Sequence, residues 1–335
     1  MNILLTCVGR RSYLVNYFKS ELKKEGGKVI GANSILETTG MHACDVSYRV
    51  PSITDKSYIE RLLEIAKKEN VKMIISLFDI DLGYLSEAKA RFEALGVTVI
   101  VSSKEVIEIA NDKYKTFQFL KENNILTPKT YNSYKSALEA LDAGELSYPL
   151  FLKPRWGMAS IGIHKIYNFE ELQFFYKKVK DEVSSSYVED LSSDNANETV
   201  LFQEFIGGTE YGVDIFNDLN GEFLLSVEKE KIEMRSGETD GAVVVKNKHL
   251  SALSIEISQK LKHIANLDMD VLYDGEKYYV LELNARFGGG FPFSYLAGAN
   301  FPKLLIDMVN GDKLTIPSIE IGTKSLKSIV PIKIN

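Results

Sequence analysis

Cysteine is scarce in this chain: two among 335 residues, Cys7 and Cys44. Neither a disulfide framework nor a zinc site can be read from them. The four histidines, His42, His164, His249 and His263, are scattered and show no ligand spacing. Long apolar runs are missing too, and none approaches the ~18 residues of a membrane helix. Positive charge is not in excess. Lys and Arg number 40 against 46 Asp and Glu, interspersed, for a net charge of −6. With no basic stripe, nucleic acid is not expected as a partner, nor is a membrane; small molecules are. The opening run Met1 to Val8 lacks a basic leader and soon meets Gly9-Arg10-Arg11. It reads as a first β-strand rather than a signal peptide. A reducing cytosol, hence a cytoplasmic protein, is the expectation. The glycosylation triplet at Asn197 is then irrelevant.

What is present suffices for two or three packed units, with 45% hydrophobic and 26% charged residues. Strand and helix alternate up to about residue 103. Ile3 to Val8, Val29 to Ala32, Met73 to Leu77 and Val97 to Val101 are strand runs. Helical stretches fall at Tyr13 to Lys24, around Ile59 to Ala66, and at Leu85 to Leu95. This repetition implies a parallel sheet with right-handed crossovers. Ser102-Ser103-Lys104-Glu105 then reads as a capping box that opens a helix. Asn111-Asp112-Lys113 separates that helix from the next. From Pro149 onward strands dominate, several paired antiparallel through turns such as Asn220-Gly221 and Asp274-Gly275. Helices near Glu170 to Val183 and Leu253 to Ile264 would cover them. The polar stretch 184–198 lacks periodicity and is expected to be a mobile surface loop. The division expected is 1–103, 104–206 and 207–335.

Three segments carry the chemistry. Lys153 ends an apolar strand and is followed by the small-residue loop Gly157-Met158-Ala159-Ser160-Ile161-Gly162. A strand-loop-strand hairpin is not a Walker loop, which opens a helix. It fits a lid over a triphosphate, or equally a β-hairpin bearing a surface lysine. Glu204-Phe205-Ile206 ends another strand and could offer backbone groups to an adenine edge. Glu210 could accept hydrogen bonds from ribose hydroxyls. The strongest element runs from Asp270 to Arg286. Side chains alternate with period two along a strand, so Glu282 and Asn284 share one face. The hairpin at Asp274-Gly275 can bring Asp270 beside Glu282. Two carboxylates and an amide oxygen form a hard, all-oxygen set suited to Mg²⁺. Arg286 follows on the same face, placed for a developing phosphoryl charge. Gly288-Gly289-Gly290 allows close backbone approach to a ligand.

Read together, these segments resemble the ATP-grasp superfamily, with the carbamoyl-phosphate synthase large subunit and the biotin carboxylase ATP domain as the nearest groups. Glu282-Leu-Asn284-Ala-Arg286 resembles the Glu-x-Asn-x-Arg signature. Asp270 falls where biotin carboxylase-like members carry their first metal carboxylate, with Asp268 a competitor for that place. Asp112-Lys113 resembles the Asp-Lys that begins the grasp fold. Lys153 resembles the second ATP lysine, Glu204 to Ile206 the adenine hinge, and Glu210 the ribose carboxylate. The usual proline after the signature asparagine is Ala285.

The resemblance implies a Rossmann-like pre-grasp domain followed by a two-subdomain grasp fold with antiparallel sheets. It implies ATP and Mg²⁺ as cofactors, with Mn²⁺ as a substitute, and a homodimer as the assembly. Asp270, Glu282 and Asn284 would hold the metal. Lys113, Lys153, Ser160, Gly162, Glu204, Phe205, Ile206 and Glu210 would hold the nucleotide. Arg286, Lys153 and Arg235 would serve catalysis. The implied reaction phosphorylates a carboxylate, and an amine or similar nucleophile then displaces phosphate from the acyl phosphate. The alternatives are an ATP-grasp phosphotransferase that releases a phosphorylated small molecule, an NAD-dependent oxidoreductase, and a nucleotide sensor. The oxidoreductase lacks a Gly-x-Gly-x-x-Gly after the first strand, and a sensor has no need of Arg286. Arg10, Arg11, Asp79 and Asp81 lie at carboxyl ends of early strands, where open α/β sheets place ligands. They are either substrate-holding groups or solvated loop charges.

Overall fold

The computed structural model of the chain describes residues 1–23, 26–157, 162–184 and 198–333. The end of the expected first helix at Lys24, the loop residues Met158 to Ile161 with Ser160, and most of the polar stretch 184–198, including Asn197, lie outside them.

The first unit alternates β1 (Asn2–Thr6), α1 (Ser12–Leu22), β2 (Val29–Asn33), α2 (Thr39–Ala43), β3 (Val46–Arg49), α3 (Tyr58–Lys68), β4 (Val71–Ser76), α4 (Asp79–Glu93) and β5 (Thr98–Ile100). Its strands form one parallel sheet in the order β3-β2-β1-β4-β5. Period-two alternation gives this sheet two apolar faces. Leu4, Ile30 and Ile74 pack on one side with α3 and α4. Ile3, Leu5, Val29 and Met73 pack on the other with Leu14, Val15 and Phe18 of α1. Each such fully buried side chain contributes about 2 kcal/mol. β1 stops at Thr6, short of the expected Val8, because Cys7 turns into the left-handed region at φ 54°.

Two helices follow, α5 (Lys104–Asn111) and α6 (Lys113–Glu122). Asp112 sits between them, and its carboxylate caps α6 by accepting from the Tyr114 and Lys115 amides. The next unit holds β6 (Thr130–Tyr131), α7 (Tyr134–Asp142), β7 (Leu150–Pro154), β8 (His164–Ile166), α8 (Phe169–Ser184) and β9 (Val200–Glu204). Its antiparallel sheet runs β6-β9-β7-β8 over a separate core of Leu150, Leu152, Ile166, Leu172 and Phe202.

The last unit comprises β10 (Thr209–Asn217), β11 (Phe223–Arg235), β12 (Glu238–Val245), α9 (Lys248–Leu261), β13 (Ala265–Tyr273), β14 (Tyr278–Asn284), α10 (Phe291–Leu296), α11 (Phe301–Asn310) and β15 (Lys324–Leu326). Its antiparallel sheet has the order β14-β13-β10-β11-β12-β15. Leu267, Met269, Val271, Val213 and Val280 face the core shared with the parallel sheet. The first and last units are thus fused through apolar packing, with the middle unit's core apart. β11 spans 13 residues and turns directly into β12 at Ser236-Gly237. β13 starts at Ala265, five residues before Asp270, and so carries Asp268 as well as Asp270.

Candidate functional site

The β13–β14 hairpin sets the register on which the site is built. Asp270 lies opposite Glu282, and Asp268 opposite Asn284. The apolar partners Leu267, Met269 and Val271 point into the core, so the carboxylates point out of it. On β11, Lys231 reaches the same place. Its ammonium lies 2.7 Å from Asp270 Oδ1 and 3.6 Å from Glu210 Oε2. Burial opposes charge on Lys231, but Asp270 and Glu210 outweigh it and raise its pKa.

The opposite wall comes from the middle unit. Lys153, at the end of β7, is buried and donates to Gln203 Oε1 at 2.9 Å, while Gln203 Nε2 donates to Thr130 Oγ1 at 2.9 Å. Asp112 holds Arg155 through three contacts between 2.7 and 3.0 Å. Arg155 also packs 4.7 Å over the Trp156 ring. This buried clamp places the next residue, Lys113, over the cleft, where its Nζ donates to the Gly157 carbonyl at 2.6 Å. Burial, and then the nearby Lys113 charge, push Lys153 down to about 8, with Glu282 opposing. Burial works against ionisation of Glu282. Lys113, Lys153 and the Asn284 amide prevail and hold it below the ordinary carboxylate value.

Between these walls lies a cavity of about 560 Å³. One end is charged, with Lys113, Lys153, Lys231, Asp270 and Glu282; the other has apolar walls from Phe151, Ile163, Phe205, Leu272 and Leu281. Glu204, Ile206 and Glu210 also line it. The Glu204 amide and carboxylate are tied to the Lys129 backbone at 2.9 and 3.2 Å. Gly208, at φ 153°, passes so close to Tyr273 that a Cβ would lie 2.0 Å from its carbonyl oxygen. A smaller space of about 30 Å³ adjoins the charged end, lined by Asp79, Asn111, Lys113, Glu282 and Asn284.

Beyond it stands Arg286, nearly buried. It pairs with Asp79 of α4 at 3.0 Å, reaches Asn284 Oδ1 at 3.2 Å and approaches Asp268 at 3.7 Å. Burial pushes the Asp268 carboxyl up to about 7, and the carboxylates of Asp270 and Asp214 add to the shift against Arg286 and Lys229. Gly288 completes this corner, because a Cβ there would lie 2.2 Å from the Asp268 carboxyl carbon.

An ATP-grasp domain model matches residues 110–290, more than half of the chain, and a model of the PylC-like N-terminal domain matches residues 3–100. The chain belongs to the ATP-grasp family. Among sequence relatives, it is 26% identical over 330 residues to the carbamoyl phosphate synthase large chain of Clostridium acetobutylicum, covering 93% of this chain and 29% of that one. It is 27% identical over 263 residues to the D-alanine–D-alanine ligase of Petrotoga mobilis, covering 72% and 80%. The chain therefore spans under a third of the length of the first of these relatives. Among solved structures, the biotin carboxylase domain of Hydrogenobacter thermophilus 2-oxoglutarate carboxylase matches with a TM-score of 0.74 at 17% identity, covering 96% and 72%. The shared architecture is the parallel sheet followed by two antiparallel sheets.

Of the residues singled out in the sequence, this ATP-grasp fold gathers Lys113, Lys153, Glu204, Phe205, Ile206, Glu210, Asp270 and Glu282 around one cavity. Asn284 lines the small adjoining space. Gly162 (φ 72°) precedes β8, where a Cβ would press on Pro154 at 2.9 Å. Ser160 lies outside the described residues. Arg235 is not among the residues lining either space; it sits at the tip of the β11–β12 hairpin, half exposed, paired with Asp240 at 2.8 Å. Lys231 and Gln203 were not singled out in the sequence, although Lys229 and Lys231 alternate on one strand, a visible signal. No helix among the described residues is long and apolar enough to cross a membrane.

The donor set suits Mg²⁺ arriving with a nucleotide. Two carboxylates and an amide oxygen would supply part of the oxygen shell such an ion needs. Among the described residues no cluster of three or more His, Cys, Asp or Glu would hold a metal ion unaided.

Proposed function

We propose that this ATP-grasp chain is an ATP-dependent ligase that activates a carboxylate as an acyl phosphate and transfers the acyl group to an amine or similar nucleophile. The observation that carries this reading is convergence: Lys113 from the start of α6, Lys153 from β7 and two carboxylates from the β13–β14 hairpin meet at the charged end of one nucleotide-sized cavity. In this reading Lys113 and Lys153 neutralise phosphate oxygens. The strand end Glu204 to Ile206 offers backbone groups to the adenine edge, and Glu210 accepts from the ribose. Ser160 and Gly162 would also contact the nucleotide. Asp270, Glu282 and Asn284 hold Mg²⁺, or Mn²⁺ in its place, which when bound offsets phosphate charge. Arg286 stands beside the reacting carboxyl and stabilises the developing charge. Arg235 would reach a phosphate only if its hairpin closed over the cavity. The relatives support the class: one is named for ligating D-alanine, and the biotin carboxylase domain is described in complex with MgADP and bicarbonate. We also propose units at 1–103, 104–206 and 207–335, a homodimer, and a cytoplasmic setting.

The test is ADP release measured over a matrix of carboxylates and amines, with mass detection of products. The reading requires a condensed product formed with one ADP. ADP formed together with a phosphorylated small molecule, and no need for an amine, would instead establish the phosphotransferase alternative.

A further inference from the structure

Two lysines alternate on β11, and their surroundings differ. Lys229 is buried; its ammonium contacts Asp214 at 2.5 Å and donates to Ser294 Oγ at 2.8 Å. It does not line the nucleotide-sized cavity, whereas Lys231, two residues on, does. The strands run in the order β13-β10-β11, so Lys231 has to cross the whole of β10 to reach Asp270 on β13. It crosses at Gly212, the residue opposite Asp270. That position carries no side chain, and a Cβ there would already touch Lys231 Cε at 3.4 Å. The path of the lysine is thus built into the sheet.

The three lysines of the cavity are not equivalent either. Lys113 rests on the Gly157 carbonyl at 2.6 Å and Lys153 on the Gln203 amide oxygen at 2.9 Å, both neutral acceptors. Of the three, Lys231 alone rests on carboxylates among the described residues, Asp270 at 2.7 Å and Glu210 at 3.6 Å. A neutral acceptor yields an ammonium to a phosphate at little cost. A carboxylate in a partly buried site yields it only when another cation takes over its charge. An ammonium and a divalent ion on the same Asp270 carboxylate would also repel one another at close range. Lys231 is therefore a competitor for one of the groups assigned to the metal. Its place along the cavity matters as well. Glu210 is assigned to the ribose and Asp270 to the metal, so the ammonium between them lies where a phosphate tail has to pass.

We infer that Lys231 is a further phosphate-binding residue that also controls metal entry: it competes with the bare divalent ion for Asp270, and passes to the phosphate oxygens when metal and nucleotide enter together. The inference rests on the nucleotide and metal assignments of the proposed function, and adds to them an order of binding. Asp270 then accepts a metal only when phosphate oxygens draw the ammonium away, so the site takes the metal–nucleotide complex and rejects the free ion.

The test is binding rather than turnover. Mn²⁺ is the probe, its free concentration read by electron paramagnetic resonance, with the full chain alone and with ADP. Lys231→Met should bind Mn²⁺ alone about 10- to 100-fold more tightly than wild type, and Mn·ADP about tenfold more weakly. The opposite signs are the signature, because a lysine that served only packing would weaken both when lost. Asp270→Asn added to Lys231→Met should abolish the gain, which places the ion at this carboxylate. Lys231→Arg keeps a cation there and should still reject Mn²⁺ alone. In a thermal melt, MgCl₂ set against NaCl of equal ionic strength should raise the Tm of Lys231→Met and leave wild type nearly unchanged. If Lys231→Met does not fold, Lys231→Gln carries the same comparisons. Mn²⁺ affinity equal to or below wild type in the neutral variants overturns the inference, and so does a gain that survives Asp270→Asn. A gain in Mn²⁺ affinity with Mn·ADP binding unchanged overturns it as well, since no transfer to phosphate then occurs. In each of these cases wild-type binding of Mn·ADP leaves the nucleotide site standing. Wild type that binds neither ADP nor Mn·ADP removes the nucleotide reading, and the inference with it.

Discussion

Raising the pH from 7 to 9 should weaken nucleotide binding about tenfold, and Lys153 is the group responsible. Its ammonium lies in a buried position, where burial, and then the Lys113 charge, depress its pKa from 10.5 to about 8. Phosphate oxygens bind the charged form, and affinity scales with the fraction of free protein that carries it. That fraction falls from about nine-tenths at pH 7 to about one-tenth at pH 9. The Kd for Mg·ATP should therefore rise about twofold to pH 8 and about fivefold more to pH 9, approaching tenfold per unit above that. Binding at pH 8 should take up about half a proton, because a bound triphosphate restores the ammonium. Stability of the nucleotide-free protein has a definite sign as well. Between about 8 and 10.5 the unfolded chain binds a proton that the folded chain has lost, so folding stability gains with pH across that window. Titration calorimetry in two buffers of different ionisation enthalpy measures both affinity and proton uptake. Lys153→Met should bind weakly, with no inflection near pH 8. A wild-type Kd that is flat from pH 7 to 9, with no proton exchange, would refute the reasoning.

Three substitutions probe the rest of the site. Glu282→Gln should cut Mg·ATP turnover by about 100-fold or more while circular dichroism stays native, since it removes one charge from the carboxylate pair; wild-type turnover would rule out the metal assignment. Lys231→Met strips Asp270 of its 2.7 Å partner and should cost about 3 kcal/mol in a urea melt of the nucleotide-free protein. An unchanged midpoint would mean that solvent screens Asp270. Gly288→Ala forces a methyl group against the Asp268 carboxyl, 2.2 Å from its carbon, and should destabilise by about 1–3 kcal/mol. A melting temperature equal to wild type would show that the turn after the signature strand shifts freely.

The parallel sheet was legible because its strands are apolar on both faces. Ile3, Leu4 and Leu5 are all buried, so the run has no polar interruption to hide it. The strands that carry the site were harder to delimit. Asp268 and Asp270 break the apolar run of β13, which spans Ala265–Tyr273. Yet Leu267, Met269 and Val271 alternate with those two aspartates at the strand period, and all three are fully buried. β11 suffered the same way. Lys229 and Lys231 look like solvated residues, but Lys229 lies buried against Asp214 at 2.5 Å. Charge that serves a site imitates charge that faces water, and composition alone does not separate the two. The edge strand β3 escaped notice for a different reason: its four residues alternate half-buried and exposed, a pattern too short to count.

How far a site can be read also depends on where its partners lie in the chain. Asp270 and Glu282 meet across one hairpin, so strand alternation and a tight turn at Asp274-Gly275 suffice to pair them. Lys113 needs one longer step, the grip of Asp112 on Arg155, which is 43 residues away in the chain. Arg286 pairs with Asp79 across 207 residues, between sheets whose relative placement is set by the common core of Leu4, Ile74, Leu267 and Met269. No spacing rule reaches that far; only the packing of one sheet's apolar face on the other determines it. The charged end of the cleft joins the β13–β14 hairpin to Lys113 and Lys153 across one interface. The pair of Asp79 and Arg286 is built from the contact between the first unit and the last.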